Sequence, residues 1–261
     1  MNIREKLITL SILKKGNWKE MYAFLIQDKM LTQITENQVK ECLKQIKNIS
    51  VLTILDPEYP ECYKEMPAPP FVLYYKGNPN LLEGKRVALI GNQRPSQTGI
   101  GEARKLGFQL LDKGITLVGN LQLGIETVAH SIATKEGKTI AILPSGFWVI
   151  YPRENYDLYY QLIKGHLVLT EYPPGVSPSA QRFNRAHHLL QALSDVLIVI
   201  EMTKGDYRLN SLKGQIDVGK VVYALPASYN VHSSRGCLEL IRYGAYCFLN
   251  CSEIFSWLNH M

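Results

Sequence analysis

Three things are missing from this sequence. No two cysteines stand at C-x-x-C spacing, no uncharged apolar stretch reaches the length of about 18 residues that a membrane helix needs, and no repeat or low-complexity tract interrupts the chain. The five cysteines, Cys42, Cys62, Cys237, Cys247 and Cys251, are odd in number and have no histidine or cysteine nearby to complete a zinc set. Buried thiols in a reducing compartment are expected, rather than a disulfide framework or a metal site. The N-terminus, MNIREKLITLSILKKGNWKE, scatters charges through its apolar residues and has no signal-peptide core. A cytoplasmic protein without membrane contact, metal or cofactor is expected. H-E-x-x-H and paired catalytic carboxylates are also missing, and Glu171 and Glu201, which both end strand-like runs, suggest no reaction.

The 261 residues are 46% hydrophobic and 20% charged, enough for one sizeable core and a small extra unit. The formal net charge of +6 permits a polyanionic partner without requiring one.

Residues 1–50 carry helical stripes (Ile3, Leu7, Leu10; Met21, Phe24, Leu25; Val39, Leu43, Ile46), with Thr35 and Gln38 placed as a capping box. They read as a small helical unit. Residues 51–80 hold six of the thirteen prolines and read as an extended connector, with FVLYYKG as a strand expected at a sheet edge. From 81 to 261 a rhythm sets in. VALIG (87–91), ITLVG (115–119), TIAIL (139–143), LVLTE (167–171), VLIVIE (196–201) and VVYAL (221–225) alternate with helical segments. Near-continuous Val/Ile/Leu runs suit strands buried on both faces. Their alternation with helices predicts an α/β, doubly wound, mostly parallel sheet. The tail adds a helix at 236–243, a strand at 245–249 and a helix at 252–259.

In such sheets ligands bind beyond the carboxyl ends of the strands, which selects the residues to examine. After the first run, Gly91 allows close backbone approach, Arg94 supplies charge, and Ser96 can cap the next helix. The loop either holds an anion or is a plain capped turn. After the second run, Asn120 or Gln122 could donate to phosphate, while His130 fits a structural role inside a helix. Ser145 lacks the G-x-S-x-G frame of a nucleophile and counts only as a polar lining residue beside Arg153, a candidate phosphate contact. The helix at 180–193 begins with Arg182, Arg185 and His188. Cations there oppose the helix dipole unless an anion joins them. Lys213 follows the fifth run, on a surface helix or in a site.

Read together, these segments resemble the DprA/Smf family of bacterial DNA-processing proteins, from about Leu52 to Leu258. VALIGNQRPSQTG is similar to the family's G-[ST]-R-x-x-S-x-x-G. GNLQLGIETVAH is similar to S-G-x-A-x-G-I-D-x-x-A-H, and YPREN, LTEYPPG, RFNRAHHLLQALS and RGCLELIRYGA follow in family order. The resemblance implies a Rossmann-like core and a non-enzymatic, cytoplasmic protein of natural transformation that binds single-stranded DNA, shields it and helps load the RecA recombinase. It implies a homodimer formed through about Gly236–Phe248, with Leu238, Ile241 and Cys247 as contacts. If the chain binds single-stranded DNA, the expected contacts are Arg94, Ser96, Asn120, Gln122, Ser145, Arg153, Arg182, Arg185, His188 and Lys213, with Trp148 or Tyr151 for base stacking. Against the family pattern, Gln93 takes the loop arginine's slot, Leu123 a basic slot and Glu126 an aspartate slot, and Pro144–Trp148, Arg185–His188 and Asp206–Ser211 depart from their blocks. The alternative is a divergent member with a decayed pocket, acting as a protein-interaction or nucleotide-sensing module. A phosphoribohydrolase on a similar fold would need P-G-G-x-G-T-x-x-E, which the sequence lacks.

Overall fold

The structure, a computed structural model, describes residues 2–27 and 33–260. At its N-terminus α1 (Ile3–Leu13) starts from a reciprocal Asn2–Glu5 cap, and α2 (Trp18–Ile26) follows a tight turn at Lys15–Gly16. The Thr35–Gln38 capping box opens α3 (Glu36–Gln45), satisfying two amide donors that a bare helix start would leave free.

The proline-rich stretch does more than connect. It contains β1 (Ser50–Thr53), the short helix α4 (Glu61–Lys64) and β2 (Val72–Gly77). β2 pairs antiparallel with β1 on one side and with β6 (Leu167–Thr170) on the other. The strand expected at an edge is therefore internal, and β1 forms the edge. Pro70 precedes β2 and Pro79 follows it, so every β2 amide can join a ladder, and Val72, Leu73 and Tyr74 are buried.

All six apolar runs form parallel strands: β3 (Arg86–Gly91), β4 (Thr116–Gly119), β5 (Thr139–Ile142), β6, β7 (Val196–Glu201) and β8 (Val221–Ala224). The helices between them are α5 (Gln97–Asp112), α6 (Ile125–Glu136), α7 (Tyr156–Gly165), α8 (Ala180–Leu193) and α9 (Leu209–Asp217). The tail folds as α10 (Arg235–Tyr243), a two-residue β9 (Tyr246–Cys247) and α11 (Cys251–Asn259). Sheet order is β1-β2-β6-β5-β4-β3-β7-β8-β9.

Each face of the sheet has its own core. Along β3, Ala88 and Ile90 pack toward α8, α9 and α10, whereas Val87 and Leu89 pack toward α5, α6 and α11. This two-sided burial explains why the strands read as unbroken apolar runs. The N-terminal helices share a third core with β2, β6 and α7 through Leu7, Ile8, Leu10, Tyr74 and Leu162. Arg4 fastens them to the sheet by pairing with Asp56 at 2.7 Å and donating to the Val51 carbonyl.

The chain runs from β3 outward to β6, then crosses back through α8 to place β7 on the other side of β3. The order reverses at β3, so the crevice between its carboxyl end and that of β7 is where this topology places a ligand.

Candidate functional site

The loop after β3 does hold an anion, and the chain supplies it. The Glu201 carboxylate, at the end of β7, accepts from the Asn92 amide at 2.9 Å, from the Ser96 backbone N–H at 3.1 Å and from the Ser96 hydroxyl. That hydroxyl in turn accepts from Gly99 N–H at 3.0 Å and caps α5. Glu201 thus occupies the positive end of the helix. A Cβ at Gly99 would come within 2.6 Å of its Oε2. Asn92 completes the cluster by donating to the Ser233 carbonyl and accepting from Thr203 N–H. Ser96, expected to meet phosphate, spends its hydroxyl here.

A second closed cluster lies beneath. Arg208 is 1% exposed. It donates to Asp206 at 2.8 and 2.9 Å, to the Gly91 carbonyl at 2.8 Å and to Glu126 at 3.3 Å. Burial pushes the Glu126 carboxyl up, against the pull of Arg208 and of the Asn120 N–H that donates to it at 2.6 Å. Burial would also raise Asp206, but its hydrogen bond to Arg208 and the guanidinium charge hold it below its ordinary value. Asn120 is fully buried and gives its amide to the Ile142 and Ala186 carbonyls. Ser145 is likewise buried and donates to the Val149 carbonyl. Neither side chain faces solvent.

What stays open at the strand ends is a cleft of about 320 Å³ between Gln93, Gln122, Tyr151, Phe183, Asn184 and Tyr207. Among the described residues, no charged side chain lines it. Gln93 Nε2 donates to Gln122 Oε1 at 2.8 Å, and Gln122 Nε2 donates to the Tyr207 hydroxyl at 3.1 Å, a chain that fixes three polar edges along one wall. On the opposite wall Tyr151 meets Phe183 edge to face at 5.4 Å. A neighbouring concavity shares Tyr151 and Leu123 and adds Trp148, Tyr156 and Arg153. Trp148 is 65% exposed, and Tyr151, Tyr156 and Tyr207 are about half exposed. Indole and phenol rings left in water in one patch are characteristic of a binding surface.

The cations fall into distinct groups. Arg94 and Arg153 are exposed and have no hydrogen-bond or ion-pair partner among the described residues. Gln93, in the slot of the family's arginine, faces the cleft, while Arg94 does not line it. Arg182 donates to the Ser177 carbonyl at 2.6 Å and lies over the Tyr172 ring. Arg185 is committed to Glu171 at 2.6 and 2.9 Å and to the Ala68 carbonyl. Burial pushes the Glu171 carboxyl up, while Arg185 favours its ionised form. His188 is exposed, and desolvation together with Arg185 lowers its pKa. Lys213 pairs with Glu239 at 2.6 Å in a separate concavity with Tyr243.

Of the residues expected from sequence, the structure brings Gln122 into the cleft, puts Arg153 in the adjoining concavity, and gathers Arg182, Arg185 and His188 into one groove. It sets Lys213 apart. Sequence reading missed Tyr207, Phe183 and Asn184 as lining residues, and Glu201, Glu126 and Arg208 as internal clamps. Strand-end position pointed to Glu201, whereas nothing local marks Tyr207. Among the described residues, no group of His, Cys, Asp and Glu side chains could hold a metal ion, and no helix is long and apolar enough to cross a membrane.

At the far edge of the sheet β9 pairs, among the described residues, only with β8. Tyr246, Cys247 and Leu249 are exposed there, and Leu238 and Ile241 on α10 are half-buried.

The family model described as DNA recombination-mediator protein A matches residues 50–259. The protein Smf of Synechocystis sp. is 34% identical over 82% of this chain, and the chain spans 55% of that relative's length. DNA processing protein A of Streptococcus pneumoniae superimposes with a TM-score of 0.82 at 27% identity, covering 98% of both chains. DNA processing protein A of Helicobacter pylori, whose structure addresses its single-stranded DNA binding mode, does so with a TM-score of 0.74 at 26% identity, over 82% of this chain and 96% of its own.

Proposed function

Because the chain belongs to the DNA recombination-mediator protein A family, also named DprA and Smf, we propose that it binds single-stranded DNA across the carboxyl ends of its parallel strands. The observation that carries this reading is the uncharged, aromatic-walled cleft with unpaired arginines outside it. Unstacked bases enter the cleft and the Trp148–Tyr151–Tyr156 patch. A base stacked on an aromatic ring contributes about 1–3 kcal/mol without regard to sequence. The fixed amides of Gln93 and Gln122 offer hydrogen bonds to a base edge. Arg94, Arg153 and Arg182 meet phosphates.

The reading assigns no reaction, because Glu126, Glu171, Glu201 and Asp206 are each spent on an internal partner. The family's description as a recombination mediator supports a role in the cytoplasm, shielding incoming strands during natural transformation and passing them to RecA. The open β9 edge, with Leu238, Ile241 and Cys247 beside it, supports a homodimer. Sedimentation at several concentrations should show a monomer–dimer equilibrium, and a monomer at every concentration would refute it.

The DNA reading is tested by titrating fluorescent oligo-dT at several salt concentrations. Three to five phosphate contacts predict a log–log salt slope of about −2 to −3.5. Replacing Arg94 and Arg153 together by alanine should flatten the slope by about 1.4, and an unchanged slope would remove both from the interface. One observation favours a second reading: the N-terminus of α5 is filled by Glu201, as a pocket closed to phosphate would be. Absence of binding even at low salt would select that alternative, a protein-interaction or nucleotide-sensing module.

A further inference from the structure

Beside the aromatic cleft lies a groove of about 300 Å³ that the cleft alone does not explain. One side is the turn between α1 and α2, with Lys15, Trp18 and Lys19; the other is the exposed face of α8, with Arg182, Asn184 and His188. Asn184 lines both the cleft and this groove, so the two concavities adjoin across α8.

The turn is held in place. Gly16, at φ +68°, lies so close to the Glu171 carbonyl that a Cβ would come within 2.9 Å of it. The Trp18 indole N–H donates to the Pro69 carbonyl at 2.8 Å, and its ring stacks with Phe71 and Tyr22. With the ring so engaged, the groove offers charge rather than stacking. Lys15 and Lys19 are exposed and have no hydrogen-bond or ion-pair partner among the described residues. The one carboxylate lining the groove among the described residues, Glu171, is already neutralised by Arg185. What remains is uncompensated positive charge from Lys15, Lys19 and Arg182 on a fixed frame.

We infer that this groove is a second segment of the single-stranded DNA path, where the N-terminal helical unit takes the phosphates of a strand leaving the aromatic cleft over Asn184. The inference rests on the DNA reading above and extends it: bases are held at the strand ends, backbone at the α1–α2 turn. Continuity with the cleft favours the same strand over an unrelated polyanion.

The test uses the full chain, oligo-dT of about 5 and about 15 nucleotides, and the Lys15→Glu/Lys19→Glu double variant. Both lysines are exposed, so the melting temperature should not change. The expected result is that the long oligonucleotide loses at least about tenfold in affinity at low salt and about 1.4 in salt slope, while the short one stays within about twofold. A Lys40→Glu/Lys47→Glu control, on α3 and just past its end, should affect neither. An unchanged long oligonucleotide, equal weakening of both lengths, or an equal effect of the control would each overturn the inference and leave the DNA reading standing. If the unaltered protein binds neither length, both fall.

Discussion

Replacing Arg208 by alanine is expected to lower the unfolding free energy by about 3–5 kcal/mol, because the substitution strands buried carboxylates without their counter-charge. Glu126 is 1% exposed and Asp206 is largely buried, and both lean on this one guanidinium. A domain of ordinary stability has about 5–15 kcal/mol in total, so the variant should unfold at a much lower urea concentration. The loss also has a pH signature. In the intact protein the folded-state pKa of Asp206 is depressed, so its contribution is present above the ordinary carboxylate range and disappears as pH falls through the depressed value. In the variant Glu126 and Asp206 take up protons at higher pH, and the gap from the intact protein should narrow on acidification. A Glu126→Gln background should recover part of the loss, since the two side chains are coupled. An unchanged urea midpoint for Arg208→Ala would refute the clamp.

Arg185→Ala should cost about 3 kcal/mol, toward the lower end of the same range because this pair reaches the surface. Arg185 is 17% exposed and Glu171 5%. Burial raises the folded-state pKa of Glu171, so its proton-linked contribution is present below the ordinary carboxylate range and is lost as pH rises through the folded value. Removing Arg185 raises that pKa further, so the deficit should widen from acid to neutral pH. The DNA readout separates this arginine from the exposed ones. Where the variant remains folded, its oligo-dT salt slope should match that of the intact protein, unlike the Arg94/Arg153 variant. A slope flattened by about 0.7, the value of one phosphate, would place Arg185 on the DNA instead of on Glu171.

The question left by the sequence was whether Arg94 could stand in for the family's arginine displaced at Gln93. The structure gives each a different place: Gln93 faces the cleft and bonds Gln122, and Arg94 stays free outside it. The charge expected in the family arginine's slot stands one residue further on, and an amide takes its place at the cleft. Ser96 shows the same limit of sequence reading. Its capping role follows from its place before a helix, but its bond to Glu201 joins residues 105 apart.

The sequence by itself determined the β/α rhythm, the parallel core and the strand ends at which to look. Strands buried on two faces must be apolar at every position, and that pattern is local. Only the tertiary structure decided that β2 is internal, that Glu126, Glu171 and Glu201 consume the polar groups that looked free, and that Lys15 and Lys19 stand beside α8. Those outcomes depend on pairings that join residues from 14 to 105 apart in the chain. A short stretch of sequence specifies that a charge exists, and only the folded chain brings the partner that neutralises it or leaves it bare.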